Sequence, residues 1–162
     1  MRSDRFVLIN LEGGESFVFQ FFPREIETHG RANWEPQDVT IGKRPIFYAN
    51  TDGERISIQE VYLDRSDTNE SIAPDIKALN ALRAEVPGLG RPPALLAAWG
   101  DESYRCVLEE VSARRTFFAP GGEPLRASVS LQLIELQDEQ EAVDVVVKDP
   151  SDTDSGSGIG DF

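Results

Sequence analysis

One cysteine, one histidine and one methionine are all that this chain of 162 residues contains of those types, and each scarcity excludes something. Cys106 has no partner for an internal disulfide. It falls in a strand-like run with no base beside it, which predicts a reduced, half-buried and inert thiol and makes a reducing compartment the default. His29 has no second His or Cys at metal-ligand spacing, so it reads as a surface residue rather than a ligand. Basic residues are outnumbered, 16 Lys and Arg against 29 Asp and Glu, for a formal net charge of -13. Wrapping nucleic acid requires phosphate neutralisation by Lys and Arg, so specific nucleic-acid binding is not expected, and the charge reads as solubility. Long apolar runs are missing too. None approaches the ~18 residues of a membrane-spanning helix. The run Phe6–Leu11 is interrupted by Asn10, is too short for a signal segment and lacks a small-residue cleavage site. No membrane contact and no export signal are expected.

Chemistry-bearing constellations are also absent from the sequence. Glu109-Glu110 lies in a strand, where neighbours point to opposite faces, so the two carboxylates do not form an acid–base pair. Asp64 and Asp67 flank Arg65 in a polar turn and read as solvated. Gly88-Leu-Gly90 follows a helix rather than a strand and is no phosphate loop. No serine sits in a nucleophile elbow. The expectation is therefore no catalytic, cofactor-binding or metal-binding residue, no cofactor, and no enzyme.

What is present is strand. A chain of this size forms one domain with a real core. Phe6–Leu11 and Ser16–Phe22 predict a hairpin around Gly13-Gly14, with Phe17, Phe19 and Phe21 on one face. Arg24–Tyr48, punctuated by Gly30, Pro36, Gly42 and Pro45, reads as a long irregular loop, of the kind that carries function or orders on a partner. Asn50-Thr-Asp-Gly53 predicts a tight turn between Ile46–Tyr48 and Arg55–Leu63. One helix is expected over Pro74–Val86, with an apolar stripe at Ile76, Leu79, Leu82 or Arg83, and Val86, Ser71 as a candidate cap and Pro87-Gly88 as its stop. A strand ending at Trp99-Gly100 follows Pro92-Pro93.

Two long strands, Tyr104–Phe118 and Leu125–Leu136, then flank the turn Ala119–Pro124. In the second, Leu125, Ala127, Val129, Leu131 and Leu133 alternate with Arg126, Ser128, Ser130 and Gln132. Strands well beyond the usual ~5–6 residues either close into a barrel or leave edges to be covered. After Gln137 the composition turns acidic: eight carboxylates against Lys148. Residues 1–137 are expected as the domain and 138–162 as a flexible tail, solubilising or ordering on a neighbour through Val143–Val147 and Phe162.

The ordered set of these motifs resembles the contractile injection system tube and baseplate-adaptor family. Phe19-Gln-Phe-Phe-Pro-Arg-Glu-Ile26 is similar to the family's opening Phe-Gln-Phe-Asn-Pro motif, with Phe22 in place of the Asn. Trp34, Gly42-Lys-Arg-Pro45, Leu63-Asp64, Arg91-Pro-Pro93, Trp99-Gly100, Val107-Leu-Glu109 and Pro120-x-Gly122-x-Pro124-x-Arg126-Ala127 follow in order, covering residues 5–137. The resemblance implies a mainly β fold, a tail-tube-like β-sandwich or split barrel with one flanking α-helix. It implies a hexameric ring that connects a spike hub to an inner tube, in a phage tail, a baseplate or a related injection particle assembled in the bacterial cytoplasm. Hub and inner-tube proteins would be the partners, with baseplate wedge proteins meeting the acidic tail. DNA would pass through the lumen if the particle is a phage. Many members carry a peptidoglycan-binding LysM module, for which the 25 residues after Gln137 are too few and too acidic. The alternatives are the main inner-tube protein and a soluble monomeric β-barrel binding module.

Overall fold

The computed structural model describes residues 3–137, so the expected acidic tail, with Val143–Val147 and Phe162, lies outside the described residues. Seven strands form one antiparallel sheet: β1 (Ser3–Asn10), β2 (Phe17–Val18), β3 (Glu25–His29), β6 (Arg55–Asp64), β7 (Leu95–Gly100), β8 (Glu102–Phe118) and β9 (Pro124–Glu135). Their spatial order is β2-β1-β7-β8-β9-β6-β3. Two further strands, β4 (Ala32–Pro36) and β5 (Ile46–Thr51), pair only with each other. A single helix among the described residues, α1 (Ala73–Ala81), flanks the sheet. The fold is mainly β, as expected.

The core follows from the alternation in β9. Leu125, Ala127, Val129, Leu131 and Leu133 are all buried. They are matched across the ladders by Leu108 on β8 and by Ile56, Ile58 and Leu63 on β6. Ile76, Leu79 and Leu82 close this face from the helix side, joined by Phe6, Leu8 and Phe19. β8 shifts register against β9 near Phe117, close to the β8–β9 turn, and two further bulges lie beside the body of β9. One lies on β6 between Ile58 and Val61, where Glu60 adopts a left-handed φ of 51°. The other lies on β8 between Leu108 and Glu110. Bulges sharpen twist, and here the sheet curls toward itself. The segment after β2 then bridges its two sides: the Phe19 amide donates to Phe6 O on β1 at 2.9 Å, and the Arg24 amide to Gln59 O on β6 at 3.0 Å. The result is a split barrel.

Several local expectations are corrected. β2 is only two residues long, and Phe21 is exposed rather than aligned with buried Phe19. Residues 20–24 leave β1 to reach β6, which breaks the period. The expected loop Arg24–Tyr48 contains strands instead: β3 pairs with β6 and β4 with β5, leaving residues 30–31 as a short connection and 37–45 irregular. The Asn50–Gly53 segment connects β5 to β6 but makes no hairpin of them, because both sides of β6 are taken by β3 and β9. Gly53 lies so close to the Glu135 carbonyl that a Cβ there has no room. The helix stops at Ala81 in a tightened turn, with Leu82 donating to Leu79 O and Arg83 to Asn80 O. Val86 instead bridges Arg91 around the Pro87–Gly90 turn. Ile72 rather than Ser71 is the N-cap, though Ser71 Oγ accepts the Ala73 amide at 3.1 Å.

Cys106 lies fully buried rather than half-buried as expected, because it falls on the core face of β8, and desolvation pushes its thiol up to about 12. Two outcomes follow. Leu131→Ala, which leaves a cavity under the centre of β9, should cost about 2–5 kcal/mol, measured by denaturant unfolding. Cys106 should resist iodoacetamide at pH 8 in native buffer and label readily in denaturant, read by mass spectrometry.

Candidate functional site

The described residues hold no group of three or more His, Cys, Asp and Glu placed to bind a metal, and no helix long and apolar enough to cross a membrane. His29 ends β3, exposed. The pair Glu109-Glu110 departs from strict alternation: the bulge makes Glu109 the extra residue, so it reaches Arg55 at 3.1 Å while Glu110 stands opposite Gln132. Both therefore serve one face of the sheet, with Glu109 held in an ion pair. Three surfaces of the described residues stand out.

The first surface is the β4–β5 arm. No residue of either strand is buried. Trp34 and Tyr48 sit across from each other, edge to face at 5.6 Å between ring centroids, and each is 55% exposed. Ile46 is 60% and Ile41 89% exposed. Polar bonds set the arm's shape: Asn33 Nδ2 donates to Asn50 Oδ1 at 2.7 Å, and the Gln37 amide to Pro45 O at 2.9 Å. A two-stranded ribbon is marginal alone in water, and an apolar patch of this kind marks an interaction site. The arm is rooted where β6 begins and β9 ends. There the Glu54 amide donates to Glu135 Oε2 at 3.0 Å, and Gln137 donates to Thr51 O.

The second surface lies at the opposite end of β9, around the β8–β9 turn. Gly122, at φ 92°, closes that turn with its amide on Ala119 O. Phe21, Phe22, Tyr62, Phe117 and Phe118 are each roughly half exposed there. Phe21, Tyr62, Asp64 and Arg126 line a shallow cleft of about 330 Å³. The Arg126 guanidinium lies over the Phe117 ring, 5.5 Å from its centroid, and contacts Asp64 at 3.1 Å. Asp64 is thus not the solvated turn residue expected. Hydrogen bonds from the Ser66 hydroxyl and amide, then the Arg126 charge, hold its carboxyl below the usual aspartate range. Arg65 is likewise engaged, by Asp75 at 2.9 Å and Glu70 at 3.1 Å.

The third surface joins these ends. It is the face of the sheet opposite the core, lined by Ser57, Ser112, Ser128, Ser130 and Gln132, with Ser57 donating to Gln132 Oε1 at 2.7 Å. Its charges are mixed: Arg55, Arg105, Arg114 and Arg126 lie among Glu25, Glu27, Asp64, Glu109 and Glu110. Of the three surfaces, only this one was legible in advance, from the β9 alternation. The apolar arm was hidden inside a segment that reads as loop, although Trp34, Ile46, Phe47 and Tyr48 signal strand by residue type.

A carboxylate with a depressed pKa stabilises the fold above its unfolded pKa and loses that contribution as pH falls through the folded value. Asp64 should therefore titrate below a peptide aspartate by NMR, and Ser66→Ala or Arg126→Gln should each raise its midpoint and bring acid destabilisation to higher pH.

No curated protein matches this chain. A family model described as contractile injection system tube protein matches residues 9–144. That span is most of the chain, and it includes the arm, the aromatic end and the polar face; the chain belongs to this family and is a structural tube component of a contractile injection system.

Proposed function

We propose that this chain forms a hexameric ring that joins the spike hub to the inner tube, as an adaptor or tube initiator, with no enzymatic role. The observation that carries the reading is the pair of unlike apolar ends. The aromatic arm is rooted at one end of β9, and the Phe21–Phe22–Phe117–Phe118 cluster stands at the other. The twelve residues of β9 separate them by roughly 40 Å. A contact of one end with the other is heterologous, and such contacts close into rings or continue into stacks. One end suits a hub protein and the other an inner-tube protein. The face between them, with its serines and mixed charges, suits a lumen. It is not strongly basic, so DNA, if the particle carries it, meets no adhesive wall. The acidic sequence of residues 138–162 suits contact with a baseplate wedge protein.

The family's description as a tube protein favours a second reading, the main inner-tube subunit. Light scattering on purified chain, followed by negative-stain micrographs, separates the two. The adaptor should give single hexameric rings that do not elongate, and the main tube protein should give open-ended stacks. A chain that remains monomeric at high concentration would contradict both.

A further inference from the structure

We propose that neighbouring copies join by strand addition between two particular edges: β3 of one copy pairs antiparallel with the free half of β8 of the next, with Glu25 opposite Arg114. The inference rests on the ring-forming reading above and specifies its contact.

Both edges are open. β7 covers β8 only from Glu102 to Cys106. From Val107 to Phe118, β8 pairs with β9 on one side, and no strand lies on the other among the described residues. β3 pairs with β6 alone. Every pairing in the sheet is antiparallel, so β3 and β7 run in the same direction, opposite to β8. In a second copy related by rotation about a ring axis, β3 therefore arrives antiparallel to β8 and continues the line that β7 begins. An open edge is a template for this kind of pairing.

The side chains select one register. On β3, Ile26 stands opposite buried Ile58 and so belongs to the core face, while Glu25, Glu27 and His29 stand opposite Gln59, Ser57 and Arg55 on the polar face. On β8, Val111 and Ala113 oppose Leu131 and Val129 of the core, and Glu110, Ser112 and Arg114 oppose the polar row. Ile26, Val111 and Ala113 are all only partly buried in the single chain. Placing Glu25 opposite Arg114 sets Ile26 against Ala113, Thr28 against Val111, Glu27 against Ser112 and His29 against Glu110. A slip of one residue exchanges the two faces. A slip of two in one direction sets Glu27 against Glu110, a like-charge pair. A slip of two in the other sets Ile26 against Arg115. Glu25, Glu27 and Arg114 make no ion pair among the described residues, so their charges are available to a second copy. The polar face and the core face would each continue from one copy into the next.

Charge inversion and cross-linking test the pairing. Glu25→Arg and Arg114→Glu should each lower the ring fraction at fixed concentration by about tenfold or more, because the like-charge contact recurs at every interface. The double variant should recover it. Glu27→Cys combined with Ser112→Cys should give interchain disulfides, up to a closed covalent ring, under mild oxidation. All four positions are exposed, so circular dichroism and thermal unfolding should match wild type. Rings that persist in both single inversions and yield no interchain disulfide would overturn this pairing while leaving the ring reading intact. A wild-type chain that stays monomeric would overturn both.

Discussion

The row Leu125, Ala127, Val129, Leu131 and Leu133 is buried end to end along β9, and the position of nearly every other element follows from covering it. β8 and β6 lie on either side of β9 in the sheet, and their own apolar residues extend the row sideways. The helix contributes Ile76 and Leu79, and its C-cap Leu82 joins them. Burial of this kind scales with apolar area, at about 25 cal/mol per Å², and no buried polar residue interrupts it here. The strict period of two also dictates the other face: every residue between the buried ones must meet solvent or a partner.

The two bulges convert that flat requirement into a shape. Extra residues at Glu60 and Glu109 let β6 and β8 bend around β9 without moving their apolar residues off the core face. The polar face gains an ion pair in the process, Arg55 with Glu109, and the left-handed Glu60 is tied to Arg24 at 2.9 Å. Curling brings β1 and β6 within reach of one short segment, so Phe19 can seal the core between them.

A core satisfied by β1, β6, β7, β8, β9, Phe19 and the helix leaves much apolar surface elsewhere. Trp34, Ile46 and Tyr48 on the arm and the phenylalanines at the far end of β9 gain nothing from the single chain's core. Side chains of that size are costly to leave in water, and their separation along β9 prevents them from covering one another. The molecule leaves these side chains to contacts it cannot make alone, which agrees with its family.

The alternation of β9, the length of β8 and the presence of one helix were all readable from residue type and spacing, because each depends on local period and burial. The Phe-Gln-Phe-Phe opening, Trp99-Gly100 and the Pro120–Pro124 turn carried the family by their resemblance, in order, to its motifs. What lay beyond reach was pairing across distance. Whether Asn50–Gly53 is a hairpin or a crossing depends on β6 being occupied on both sides, by β3 and by β9 from 70 residues away in the chain. Whether Phe21 is buried depends on residues 20–24 having to leave β1 for β6. The arm read as loop because its ladder joins Trp34 to Tyr48 across an irregular stretch. Local sequence sets the face a residue prefers; only the assembled sheet decides which edges are filled, and therefore which side chains are left for a neighbour.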